Sequence, residues 1–180
     1  VIPLDMVSAF SVFANQGVRV EPVAILKIED RHGNLLWEHR PHRIEALNRS
    51  TAYIITNMLE DAITFGTGGS ARWKWQFNAP AAGKTGTTND YSDAWFMGFT
   101  PRLTAGVWVG LDDHMLKLGR LGTGSETALP FWATYMKTVY DTLDIPWDKF
   151  IQPPGIITLN ICLDSGQVAT NFCPNVKTNE

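Results

Sequence analysis

A lysine and two threonines stand close together in residues 82–88, which have the sequence AGKTGTT. Successive side chains of an extended strand point to opposite faces, so Thr85 and Thr87 share one face about 6 to 7 Å apart. Two hydroxyls at that spacing can donate hydrogen bonds to a single carboxylate. Lys84, which alternation places on the other face of the strand, adds the opposite charge. The segment therefore predicts a site that binds the carboxylate end of a ligand.

Gly86 separates the two threonines and has no Cβ. An extended peptide can therefore lie close against this strand and pair with its edge, as in β-augmentation. The alternative interpretation is an ordinary polar strand edge, where a lysine discourages aggregation. The four residues alone favour that alternative, so the choice depends on the rest of the chain.

The strands that must position these residues are predicted from β-rich segments bounded by turn residues. Residues 80–87, 94–100 and 103–110 follow one another with short links, which favours an antiparallel meander. Residues 23–28 and 35–38 flank a turn-forming cluster and predict a hairpin at a rim of the molecule.

Helices are predicted where apolar residues recur at helical spacing, in residues 5–17, 52–63 and 129–143. The first ends at Gly17, which suits a left-handed cap, and the glycine-rich residues 66–69 stop the second. A glycine-rich loop at residues 119–124 precedes the third. An antiparallel sheet covered by helices defines an α+β fold.

Two regions are expected along the chain. Residues 1–146 contain the helices, the hairpin and the meander. Residues 147–180 form a linker, marked by Pro153-Pro154-Gly155, and a tail with a hairpin-like piece at residues 156–168. Cys162 and Cys173 lie in this tail, and a local disulfide or two free thiols are both compatible with their spacing.

Composition excludes several classes of function. The chain has 180 residues, 44% hydrophobic, and a formal net charge of -3 with scattered basic residues, so nucleic acid is not an expected partner. The four histidines (His32, His39, His42 and His114) are isolated, and neither cysteine has a neighbour at ligand spacing. We therefore expect no metal and no cofactor.

The chain resembles the transpeptidase domain of class A, bifunctional penicillin-binding proteins almost from end to end. K-T-G belongs, with S-x-x-K and S-x-N type motifs, to the signature of penicillin-binding proteins and class A β-lactamases. The segments that carry the resemblance are IPLDMVSAF and FANQG near the start, IED before Gly33, GTG at 66–68, AGKTGTTND at 82–90, DAWFMGFTP at 93–101, VWVG at 107–110, and DSG and CP in the tail.

The resemblance implies the C-terminal half of a penicillin-binding protein or serine β-lactamase-like transpeptidase fold. It also implies that Lys84, Thr85, Gly86 and Thr87 bind the terminal carboxylate of a stem peptide ending in D-Ala-D-Ala, or of a β-lactam. The backbone N–H of Thr87 would be one of two oxyanion donors, so Thr87 and Lys84 are the expected catalytic residues. Asp90 and Asp93 flank a turn, where local hydrogen bonding is expected rather than an acid pair.

The expected nucleophile is not in this chain. Its serines are Ser8, Ser11, Ser50, Ser70, Ser92, Ser125 and Ser165. None is followed three residues later by lysine, and no Ser-x-Asn occurs. Acyl transfer needs an activated nucleophile with a base in hydrogen-bond reach, so we expect the isolated chain to be inert. The N-terminal half of the domain, upstream in the gene or on a separate chain, is the expected partner.

The start of the chain, Val1-Ile2-Pro3-Leu4, has no initiator methionine and resembles the interior of a longer protein. No run of eighteen apolar residues is present. By resemblance, we expect the complete protein to lie on the outer face of the cytoplasmic membrane, anchored by an N-terminal segment outside this chain.

Two alternatives to a transpeptidase remain open. A D,D-carboxypeptidase or β-lactamase would pass the acyl group to water instead of an amine. A non-catalytic peptidoglycan-binding module would keep the carboxylate site and lack the chemistry.

Overall fold

A computed structural model describes residues 1–113, 115–174 and 176–177, so His114 and residues 175 and 178–180 lie outside the description. The helices are α1 (Pro3–Ala14), α2 (Arg49–Thr64), α3 (Ser70–Trp73), a π-helical turn (Gly124–Ala128) and α4 (Leu129–Leu143). The strands are β1 (Val18–Val20), β2 (Lys27–Glu29), β3 (Leu35–Glu38), β4 (Arg43–Glu45), β5 (Ala82–Thr87), β6 (Asp93–Phe99), β7 (Thr104–Gly110), β8 (Ile161–Cys162) and β9 (Val176–Lys177).

The central sheet has three antiparallel strands in the order β5-β6-β7. Three two-stranded pairs accompany it among the described residues: β1 with β4, β2 with β3, and β8 with β9. The predicted meander and the α+β class are confirmed. The short links between the central strands leave antiparallel pairing as the economical arrangement.

Helices cover the two faces of the central sheet. On one face α1 places Phe10 and Phe13 against Phe99 of β6, with ring centroids 6.5 and 6.3 Å apart. On the other face Trp132 of α4 packs against Phe96, and both side chains are fully buried. Alternation along β6 sends these neighbouring aromatic residues to opposite sides, so one strand anchors both helical layers.

The first helix ends earlier than the sequence predicts. It is Pro3–Ala14, and the chain then turns through Gly17, whose φ of 93° is left-handed. A Cβ on Gly17 would overlap the carbonyl of Leu47, so only glycine allows the segment before α2 to pass there. The second helix is capped by Asn48, whose side chain accepts a hydrogen bond from the N–H of Thr51.

The rim hairpin is present but shorter than predicted. Its first strand begins at Lys27, and residues 23–26 are not a strand. Beyond the pair of Lys27 and Glu38, at the open end of the hairpin, the N–H of His39 donates to the Leu26 carbonyl at 2.8 Å. Because β3 has only four residues, it offers no partner for a longer first strand.

Two elements are absent from the sequence prediction. The pairing of β1 with β4 joins three-residue strands that lie more than twenty residues apart. β4 is exposed throughout, and β1 alternates over only three residues, which is too short a pattern to predict a strand. The short helix α3 follows the glycines of residues 66–69 without a break. It exposes Trp73 and leads to Trp75, which packs against the core.

The tail returns to the body of the chain after α4. Arg102, in the turn between β6 and β7, forms an ion pair with Asp148, and Phe150 meets the ring of Phe99 edge to face. Cys162 and Cys173 form a disulfide, with their Cα atoms 5.9 Å apart, which decides between the two alternatives left by the sequence. The hairpin-like piece is shorter than predicted: Ile161 pairs with Val168, and the N–H of Ala169 donates to the carbonyl of Asn160.

No helix in the described part of the chain is long and apolar enough to cross a bilayer.

Leu129→Ala tests the packing of α4. Leu129 is fully buried in the core, so the truncation should lower the free energy of unfolding by about 2 to 5 kcal/mol. Leu143→Ala, at the exposed end of the same helix, is the matched control and should change it by less than about 0.5 kcal/mol. Guanidinium denaturation measures both, and equal effects would contradict the assignment of the buried face.

Candidate active site

The carboxylate-binding residues predicted from the sequence lie on β5, at one edge of the central sheet. In the register with β6, Lys84 is opposite Met97, Thr85 is opposite Phe96, and Thr87 is opposite Ala94. The two threonines therefore share the face covered by α4, and Lys84 lies on the face covered by α1. This is the alternation that the sequence predicts.

The backbone of β5 is oriented by one hydrogen bond just beyond the strand. The N–H of Thr88 donates to the carbonyl of Asp93 at 3.1 Å, so the polar backbone groups of Thr88 point toward β6. Backbone directions alternate along an antiparallel strand, so the N–H and C=O groups of Thr87 and Thr85 point away from β6. The outward backbone groups of this edge are therefore the N–H of Thr87 and the carbonyl of Thr85.

The hydroxyl of Thr87 has a backbone partner across the site. The N–H of Gly124, the first residue of the π-helical turn, donates to Thr87 Oγ1 at 3.0 Å. A Cβ at Gly124 would overlap the carbonyl of Trp95 and lie 2.7 Å from that of Gly86. Only glycine lets this turn approach the sheet closely enough to make the hydrogen bond.

The hydroxyl of Thr85 has a side-chain partner. Thr67, in the loop between α2 and α3, places its Oγ1 2.8 Å from Thr85 Oγ1. Thr85 is half-buried and Thr67 is exposed. Both threonine hydroxyls of β5 are therefore held by elements on the same side of the sheet.

The ammonium of Lys84 lies at the edge of the strand. Its Nζ donates to the carbonyl of Thr85 at 2.9 Å, and that carbonyl points away from β6. The side chain also borders a cavity of about 270 Å³ on the α1 face, lined by Val1, Met6, Phe10, Lys84, Thr85, Gly86, Trp95 and Met97. The charge of Lys84 thus reaches the edge that exposes the N–H of Thr87, with an apolar cavity beside it.

Gly86 contacts other parts of the chain on both sides. A Cβ here would lie 3.2 Å from the Cβ of Trp95, its cross-strand neighbour, and Gly124 packs over its backbone on the other side. From the sequence, the absence of a Cβ at Gly86 is expected to allow a ligand to approach the strand. The close approach of Trp95 is a second reason for a glycine at this position.

Asp90 makes local hydrogen bonds, as expected for a turn, whereas Asp93, the first residue of β6, also accepts a hydrogen bond from β7. Asp93 accepts from the indole N–H of Trp108 and from the hydroxyl of Ser92, each at 2.8 Å. Partial desolvation, the largest single influence, raises the pKa of Asp90, but hydrogen bonds from Ser92, Thr88 and the backbone outweigh it and leave the pKa below its ordinary value. A carboxyl with a lowered pKa stays ionised, which does not suit a general acid.

Within residues 1–113, 115–174 and 176–177, no group of three or more His, Cys, Asp or Glu side chains is placed to hold a metal ion.

The fold agrees with the family that the sequence matches. Residues 1–127 match the penicillin binding protein transpeptidase domain, so the chain belongs to that family. The resemblance inferred from the motifs is confirmed.

Individual relatives belong to the same family. Penicillin-binding protein 1A from Aquifex aeolicus is 40% identical over 176 residues, which is 98% of this chain and 23% of the relative. The crystal structure of penicillin-binding protein 1A from Haemophilus influenzae has a TM-score of 0.87 at 30% identity, covering 96% of this chain and 31% of that one.

A more distant structure shares the fold alone. Penicillin-binding protein A from Mycobacterium tuberculosis, in an imipenem acyl-enzyme complex, has a TM-score of 0.60 at 18% identity, covering 76% of this chain and 31% of that one. The chain spans less than a third of the length of each of these three proteins.

Sequence reasoning missed the two residues that hold the threonine hydroxyls. The sequence pattern assigns Thr67 only to the glycine-rich segment that ends α2, and Gly124 only to the end of the glycine-rich loop before α4. The glycines on either side of Thr67 indicate a tight turn or a close approach to another part of the chain. Which strand it approaches is a long-range property that the local pattern does not contain.

Gly124→Ala tests the contact between the π-helical turn and β5. The added Cβ meets backbone atoms that cannot move without disturbing the sheet, so the free energy of unfolding should fall by about 1 to 3 kcal/mol. Ser125→Ala, one residue on, adds no atom toward the sheet and should cost less than about 1 kcal/mol. Thermal or denaturant unfolding compares the two, and a neutral Gly124→Ala would contradict the close contact.

Proposed function

We propose that this chain is the C-terminal half of a D,D-transpeptidase domain that cross-links peptidoglycan stem peptides and is inhibited by β-lactams. The complete protein would act at the outer face of the cytoplasmic membrane, anchored by a segment outside this chain. Family membership and the geometry of the β5 edge support the proposal.

The observation that carries the proposal is the convergence of one ammonium and two hydroxyls at a strand edge. Lys84 Nζ reaches the carbonyl of Thr85, on the side of β5 away from β6. Hydrogen bonds from charged or hydroxyl donors to a carboxylate are stronger than those between neutral groups. In this proposal the terminal carboxylate of a D-Ala-D-Ala peptide, or of a β-lactam, binds Lys84, Thr85 and Thr87.

The same edge would supply half of the oxyanion hole. A ligand whose carboxylate is held by the threonines would place the carbonyl under attack near the outward N–H of Thr87. A positioned donor of this kind is typically worth about 3 to 4 kcal/mol of transition-state stabilisation. Gly86 would let the ligand backbone run alongside β5.

The nucleophile must come from elsewhere, because no serine of this chain precedes a lysine by three residues. A serine of a Ser-x-x-Lys segment would attack the penultimate D-Ala carbonyl and expel the terminal D-Ala, which leaves as a free amine. An amine of a second stem peptide would then take the acyl group and regenerate the serine hydroxyl. The N-terminal half of the domain would provide this segment and a Ser-x-Asn.

The two alternatives differ in what they predict for the complete protein. A carboxypeptidase or β-lactamase would form the same acyl-enzyme and release it to water. A non-catalytic peptidoglycan-binding module would bind the ligand and form no covalent adduct. The absence of Ser-x-x-Lys within this sequence is the observation that keeps the binding module as a candidate.

Intact mass spectrometry after exposure to benzylpenicillin tests the proposal. The isolated 180-residue chain should gain no adduct, and the complete protein should gain one. Lys84→Met in the complete protein should slow acylation about 10- to 100-fold, because a hydrogen bond to a charged group is lost. Lys27→Met is the matched control, since Lys27 pairs with Glu29 on the exposed hairpin, and it should acylate at the parent rate.

Three results would contradict parts of this proposal. An adduct on the isolated chain would show that the nucleophile is present here. A complete protein that binds penicillin without an adduct would favour the binding module. Rapid hydrolysis of the adduct, with no transfer to an added D-amino acid, would favour the carboxypeptidase or β-lactamase.

A further inference from the structure

Thr67 lies outside the AGKTGTT segment, yet its hydroxyl touches the proposed carboxylate site. Its Oγ1 is 2.8 Å from that of Thr85, eighteen residues away in sequence. Among the described residues, the structure shows one hydrogen bond for the side chain of Thr67, and its partner is Thr85. An exposed threonine whose hydroxyl is directed at a binding residue invites a functional explanation.

The loop that carries Thr67 is folded tightly against the end of α2. Gly68 donates its N–H to the carbonyl of Ala62 at 2.8 Å. A Cβ on Gly66 would lie 2.9 Å from the Cα of Ala62, and one on Gly68 would lie 3.0 Å from its carbonyl oxygen. Two glycines therefore let the chain fold back on the helix, and the residue between them is directed at β5.

The hydrogen-bond partners of the two β5 threonines differ in one respect. Thr87 Oγ1 accepts from Gly124 N–H, a group that can only donate, so its own hydroxyl proton remains free for a ligand. The Thr67 and Thr85 hydroxyls can share their hydrogen bond in either direction. Only when Thr67 is the donor does Thr85 keep its proton for a ligand.

We propose that Thr67 is a positioning residue for ligand binding, which acts through Thr85. An arriving carboxylate, which only accepts hydrogen bonds, selects the arrangement in which Thr67 donates to Thr85 and Thr85 donates to the carboxylate. A hydroxyl that accepts one hydrogen bond becomes a better donor in the next, so the chain strengthens the grip on the anion. Gly124 serves Thr87 in the same way.

This inference rests on the proposed function, and acylation of the complete protein by benzylpenicillin measures both. Thr67→Val removes the donor and keeps the shape, so the second-order acylation rate constant should fall about three- to tenfold. Thr67→Ser should restore the parent rate. Thr64→Val is the matched control: it makes the same change three residues earlier, at the end of α2, where the hydroxyl donates to the Glu60 carbonyl, and it should leave the rate unchanged.

Two comparisons separate positioning from a merely structural role. Benzylpenicillin methyl ester has no carboxylate, so Thr67→Val and the parent protein should react with it at equal rates. In a Thr85→Val background, Thr67→Val should cause no further loss, because the residue through which it acts is already gone.

The possible failures are distinguishable. A parent protein that forms no adduct overturns the proposed function and this inference together. A parent that acylates normally, with Thr67→Val at the same rate, overturns the inference alone. An equal loss toward penicillin and its ester, or an additive loss with Thr85→Val, would mean that Thr67 maintains the loop and does not act through Thr85.

Discussion

The antiparallel register between β5 and β6 determines everything that the edge of β5 can present. Moving the register by one residue would exchange the two faces of the strand and reverse the directions of its backbone groups. The hydrogen bond from Thr88 N–H to the Asp93 carbonyl fixes that register where the strand ends. It directs the N–H of Thr87 outward and keeps the threonine side chains on the α4 face.

That register is supported by packing as well as by hydrogen bonds. Phe96, opposite Thr85, is buried against Trp132 of α4, and Phe99 is buried against α1. A β5 shifted by one residue would place Ala82 or Lys84 opposite Gly98 in the position of Gly83, where an added Cβ would lie 2.9 Å from the ring of Phe96. The core therefore holds the site residues in place although none of Lys84, Thr85 and Thr87 is itself in the core.

Much of this arrangement was predictable from the sequence, since it depends on local patterns. Alternation in AGKTGTT gave the relative positions of Lys84 and the threonines, and the short links gave the meander. The boundaries of α4 agree with the predicted residues 129–143, because its apolar stripe begins at a proline-containing first turn and ends at Asp144, in a left-handed conformation. The motifs extend over enough of the chain to identify the family.

The remainder depends on contacts between distant residues. Thr67 reaches Thr85, and Gly124 reaches Thr87 across 37 residues, only after α2 and the π-helical turn have packed on the sheet. The pairing of β1 with β4 is non-local in the same sense. The path of the Lys84 side chain also escaped prediction, because alternation gives the face of a residue and not where a long flexible chain ends.

A crystal structure of the complete protein acylated by benzylpenicillin tests the central claim most directly. The account predicts that the penicillin carboxylate oxygens lie about 2.5 to 3.0 Å from the hydroxyls of Thr85 and Thr87. It also predicts that the acyl carbonyl oxygen accepts a hydrogen bond from the N–H of Thr87. A carboxylate bound elsewhere, with the N–H of Thr87 turned away from the ester, would contradict the account.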